Sequence, residues 1–138
     1  MTSVSARSTL QLAQRSPSEA YRRVDFDARV SGASPQALLE LCYETAITAL
    51  GSALFAHERA DIRARSGAIT RALSAVTALQ LGISGKDGVA GALHQFYEAT
   101  RRALLDNALT FDPARIAMIR RDFADIAGAI SVPAATSA

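Results

Sequence analysis

His94 and Cys42 are the residues of this 138-residue chain whose types alone could carry chemistry. An imidazole on a solvated helix face can take up a phosphoryl group and a thiolate can act as a nucleophile, but each needs company. His94 has Arg101 one or two turns along the same helix, and no Lys follows that could steady a phosphate. Cys42 is the only cysteine, which excludes an intramolecular disulfide. It falls among core-facing residues, with no His and orienting group patterned around it, so it reads as a small buried hydrophobe. His57 projects toward the core side near a helix end, where a hydrogen-bonded structural role is the default. No glycine-rich phosphate loop, Cys or His metal spacing or Gly-x-Ser-x-Gly elbow is present, and the carboxylates stand singly on solvated faces. The chain is therefore read as no enzyme, with no catalytic residue, cofactor or metal. A helical phosphotransfer domain built on His94, or another protein-interaction bundle, stays open as the alternative.

These side chains must be positioned by helices. Ser34 is a good N-cap and Pro35 suits the first helical position, where its missing N–H costs nothing. From there Leu38, Leu39, Cys42, Tyr43, Ala46, Ile47, Ala49, Leu50, Ala53 and Leu54 share one half of the circumference, a core face. Leu41 and Phe55 lie on the other, polar half. Asp61 can cap a second helix running to about Ile83, with Ile62, Ile69, Ala72, Leu73, Val76, Leu79 and Ile83 as its apolar stripe. Ala64, Ala68, Ala75 and Ala78 form a further strip over which a helix could approach closely; the plainer reading, adopted here, is good helix formers on an exposed face. The run Ser84-Gly85-Lys86-Asp87-Gly88 breaks the pattern. A third helix, from about Val89 to Leu109, gathers Val89, Leu93, Phe96, Tyr97, Thr100 and Leu104 opposite His94, Glu98, Arg101 and Arg102, with Leu105 as the apolar exception. Asp112-Pro113 opens the last helix, striped by Ile116, Ile119, Phe123, Ile126 and Ile130.

Composition agrees with an all-helical domain. Hydrophobic residues make up 49%, much of it alanine, aromatics only 6%, and there is no Trp. Net charge is +2, so the pI near 9.1 reflects a small excess of Arg and not a polycationic surface, and no nucleic-acid partner is expected. No run of roughly 18 consecutive apolar residues calls for membrane insertion, and a cytoplasmic protein is expected. Residues 1–18 read as a disordered N-terminus, 19–34 as an arm carrying Tyr21, Val24, Phe26 and Val30, 35–131 as the bundle, and 132–138 as a frayed tail. Four helices joined by short turns predict an antiparallel four-helix bundle with an N-terminal arm.

The run Ala20-Tyr21, Val24, Val30, Ala33-Ser34-Pro35, Leu38, Leu39, Tyr43 and Ala46 resembles the opening signature of the FliS flagellar export chaperones. Ile69, Ala72, Leu73 and Val76 resemble the second helix of that family, and Leu93, Tyr97, Glu98, Arg102 and Leu104 its third-helix motif. Three positions depart: Thr45 stands where Gly is usual, Ala99 replaces a Tyr, and Ile130 stands where a Trp often closes the last helix. The resemblance implies a cytosolic chaperone, working without ATP, that holds the disordered C-terminal region of flagellin. It would block premature polymerisation and present the subunit to a flagellar export gate component; a homodimer of the free protein is a further expectation. A client that orders on binding needs apolar surface outside the core. Leu41, Phe55, Leu81 and Leu105 are the candidate groove walls, with Tyr21, Val24 and Val30 of the arm beside them.

Overall fold

The computed structural model describes the backbone of residues 34–136 and the side chains of residues 34–130. The described chain is α1 (Pro35–Glu58), α2 (Ile62–Leu81), α3 (Gly88–Leu109) and α4 (Pro113–Thr136), an antiparallel four-helix bundle. The arm, with Tyr21, Val24 and Val30, lies outside the described residues. Helix α4 continues to Thr136, past Val132, where a frayed tail was expected. Helix α1 is long and apolar enough to cross a membrane, yet Leu41, Cys42, Tyr43, Leu50 and four of its alanines are buried within the protein.

Each turn is fixed by named polar groups. At the end of α1 the Asp61 N–H donates to Ala56 O at 2.9 Å and the Ala60 N–H to His57 O at 3.1 Å, the paired bonds of a Schellman cap. Ala60 takes the left-handed conformation that this cap requires, with φ of 57°. Asp61 then caps α2, its Oδ1 accepting from the Ala64 N–H at 3.1 Å. Between α2 and α3 the Lys86 carbonyl lies where a Cβ on Gly91 would stand, at 2.5 Å, so the turn folds back onto α3 only because residue 91 has no side chain. Buried Asn107 closes the last turn: its Nδ2 donates to Ala103 O at 2.8 Å and its Oδ1 accepts from the Asp112 N–H at 2.6 Å.

The core has two textures. Helices α2 and α3 approach closely along their length, and Ala68, Ala72 and Ala75 are fully buried in the bundle. The alanine strip is therefore in part a packing face: Ala68 and Ala75 belong to the core, Ala78 is half-buried, and only Ala64 is exposed. Elsewhere aromatic rings set the spacing, with Tyr43 of α1, Phe96 and Tyr97 of α3 and Phe123 of α4 at centroid separations of 5.2–6.5 Å.

Some expected placements change. Leu41 is 5% exposed and belongs to the core. Three consecutive residues, Leu41 to Tyr43, are buried, so α1 is covered round most of its circumference at that level and has no outward side there. Ile62 and Val89, assigned to core stripes, are 65% and 78% exposed, because each sits at the very start of its helix. Leu73 is half-buried, and Ile83 is half-buried beyond the end of α2.

Two substitutions test this packing. Leu104→Ala, at a fully buried side chain, costs about 2–5 kcal/mol in denaturant unfolding, and a loss below 1 kcal/mol contradicts the core assignment. Ala60→Gly relieves a left-handed alanine and raises stability by a few tenths to about 1 kcal/mol, the Gly entropy term offsetting part of the gain; destabilisation contradicts the cap.

Candidate partner-binding surface

The seam between α1 and α4 is not filled along its length. Toward the start of α1 it opens into a cleft of about 320 Å³ with apolar walls from Leu39, Tyr43, Ile47, Ala127 and Ile130, and with Glu40, Glu44 and Thr48 also lining it. Further along α1 the seam is latched: Arg120 of α4 donates from Nε to Ile47 O at 3.1 Å. The latch passes close over Gly51: a Cβ there would stand 3.1 Å from Arg120 Nε, so the guanidinium would have to give by a few tenths of an ångström. The polar floor beneath the cleft is a phenol pair, with Tyr43 and Tyr97 hydroxyls 2.5 Å apart and both side chains buried. Burial pushes both phenols up in pKa and does the same to the neighbouring Cys42 thiol, so all three stay neutral near pH 7.

A second depression, a broad trough of about 1080 Å³, follows the outer side of α3. Ala99 and Ala103 line it among polar side chains that include His94, Glu98, Arg102 and Asp106. Glu98 ties α3 to α2, because Gln80 Nε2 donates to its Oε2 at 3.0 Å. Arg101 adds a two-pronged contact, Nε to Oε2 at 3.2 Å and Nη2 to Oε1 at 3.1 Å, and Arg102 Nε stands 3.5 Å from Oε1. These donors, Arg101 first and Gln80 next, hold the Glu98 carboxyl down to about 2. His94 is half-buried and lines the same trough as Glu98 and Arg102.

Of the candidate groove walls, Phe55, Leu81 and Leu105 are 58%, 82% and 45% exposed, whereas Leu41 is core. They do not form one groove: Phe55 lies near the end of α1, Leu105 near the end of α3, and Leu81 at the opposite end of the bundle. Sequence reasoning missed the cleft because it put Leu39, Tyr43 and Ile47 on a core face and Ile130 on a core stripe. The available signal was small Ala127 one turn before Ile130, too little side chain to fill the seam. Two departures from the expected family pattern line these depressions, Ile130 the cleft and Ala99 the trough. His57 does have its structural partners, Arg65 Nη1 at 3.2 Å from its Nδ1 and the Phe111 ring at 4.7 Å. Among the described residues no group of three or more His, Cys, Asp or Glu is placed to hold a metal ion.

Residues 17–130 match the family described as "Flagellar protein FliS". A protein of Salmonella typhimurium named "Flagellar secretion chaperone FliS" is 29% identical over 114 residues, which cover 80% of this chain and 84% of that protein.

The Glu98 network has a direct readout. Its carboxyl carbon, followed by NMR as pH falls, titrates near 2 and not near the ordinary 4.5, so the charged tie to α2 is kept down to that range and lost only as pH falls through it. A midpoint at 4 or above contradicts the network.

Proposed function

The chain belongs to the FliS family of flagellar proteins, and from that premise we propose that it is a cytoplasmic flagellar export chaperone. It binds the disordered C-terminal segment of flagellin, prevents its premature polymerisation, and delivers it to an export gate component of the flagellar type III apparatus. The observation that carries this reading is the α1–α4 cleft. It is apolar, open at the surface, and built on a rigid frame, which is what a segment that orders only on binding requires. Each large apolar side chain that such a client buries contributes about 1.5–3 kcal/mol before its ordering cost, so a few anchors suffice. Exposed Leu81 and Leu105 extend the apolar contact beyond the cleft, and Tyr21, Val24 and Val30 of the arm are further partner-binding residues. The work needs no ATP, because it is done by binding alone.

Calorimetric titration with the isolated C-terminal segment of flagellin tests the reading. Saturable binding is expected, weakened at least tenfold by Ile47→Glu or Ile130→Glu, because a carboxylate then meets apolar client surface. Removal of residues 1–32 is expected to change the affinity while the helical circular dichroism persists. No binding of the segment, or binding that both cleft variants leave intact, overturns the proposal.

A further inference from the structure

We propose that the end of the bundle where α1 and α3 finish and α2 and α4 begin is a second docking surface, which takes an acidic polypeptide segment carrying large apolar side chains. The inference rests on the reading that the flagellin client sits at the α1–α4 cleft. Phe55 lies twelve residues along α1 from Tyr43, about 18 Å at 1.5 Å per residue, so the two surfaces can be occupied together.

Four chain segments converge at this end. Phe111, between α3 and α4, stacks on His57 of α1 at 4.7 Å and lies 4.9 Å beneath the Arg65 guanidinium of α2. Around this joint Phe55, Ile62, Leu109 and Met118 are 58%, 65%, 91% and 53% exposed. Single exposed hydrophobes are ordinary, but their gathering at one end of a small bundle is not.

What selects the partner is the arginines. Arg59 lies 5.3 Å over the Phe55 ring, Arg65 over Phe111, and Arg115 places Nη1 3.7 Å from Met118 Sδ. Each guanidinium is thus held against an apolar group, and none of the three has a carboxylate within ion-pair distance among the described residues. Of the carboxylates at this end, Asp61 and Asp112 are turned onto helix starts, accepting from the Ala64 and Arg115 backbone N–H groups at 3.1 and 3.2 Å, and Glu58, at the end of α1, is exposed. A guanidinium already fixed over a ring loses little freedom when a carboxylate pairs with it, and the ring beneath offers apolar contact in the same place. Aromatic and arginine anchors of this kind carry most of the energy of protein interfaces. A cationic partner would meet unpaired like charge here.

The probe is a synthetic peptide of Glu residues interspersed with Leu and Phe, compared with its Lys-for-Glu counterpart in ¹⁵N NMR titrations of the full chain. The Glu peptide is expected to bind saturably, shifting the amides of Phe55, Arg59, Ile62, Phe111 and Arg115 and leaving those of Leu39 and Tyr43 in place. The exposed double variant Arg59→Glu/Arg115→Glu should weaken it at least tenfold, while the flagellin segment binds as before. If that variant loses helicity, Arg59→Gln/Arg115→Gln replaces it, with a smaller loss expected. The proposal is overturned by absence of binding, by equal affinity for the Lys peptide, by shifts confined to the cleft, or by an affinity that the arginine variants leave unchanged. It is also overturned if the same amides shift with protein concentration alone, which makes the surface a contact between two copies of the chain. Failure of the flagellin segment to bind the unaltered protein would instead count against the client reading.

Discussion

The hydrogen bond between the Tyr43 and Tyr97 hydroxyls is the constraint from which the rest of the bundle follows. A phenol taken out of water loses its solvent partners, and leaving it unpaired costs about 1–3 kcal/mol. Here the two satisfy each other, which ties α1 to α3 at this level. Phe96 and Phe123 pack against the pair and bring α4 to the same centre. With that junction set, α1 stands a ring's width from its neighbours, whereas α2 lies close along α3.

Two kinds of seam in one small bundle have a mechanical consequence. Interiors are packed about as densely as organic crystals, so a seam between closely approaching helices leaves nothing for a partner to enter. A seam propped by large rings stays filled only where side chains are long enough to meet. Between α1 and α4 the Phe123 ring packs against Tyr43, and the cleft lies further along α4, beside the small side chain of Ala127. Arg120 closes the adjoining stretch by reaching the Ile47 carbonyl over side-chain-free Gly51, which limits how far the opening extends.

Much of this was legible in the residues. The starts of α1, α2 and α4, the break at residues 84–88, and the burial of Cys42, Tyr97, Leu104, Ile116 and Phe123 follow from capping residues and helical spacing, which act locally. Leu41 was misplaced because helical spacing divides a helix into two halves, and α1 is buried on more than half. Ala68 and Ala75 were underrated for a related reason: alanine reports good helix propensity equally on a surface and in a close seam, so only the neighbouring backbone decides. Ile62 and Val89 have the right phase for the core but sit at helix ends, where phase no longer predicts a neighbour. The cleft is a property of two helices together and has no signature in either alone.

On the chaperone reading, the division between a stiff frame and an open seam also distributes the cost of binding. The described helices are closed by Asp61, Asn107 and Asp112, and α2 is tied to α3 through Gln80 and Glu98. Little of that frame has to reorganise when a segment enters the cleft, so the ordering entropy falls almost wholly on the client. Affinity then tracks how many apolar anchors the client can place, not how far the bundle can deform. A binder of this kind can hold a long disordered segment and still release it, because each anchor that leaves returns its share of conformational entropy. Departures at the lining positions, Ile130 and Ala99, therefore change which side chains fit while leaving the phenol junction and the close α2–α3 seam, and so the fold, untouched.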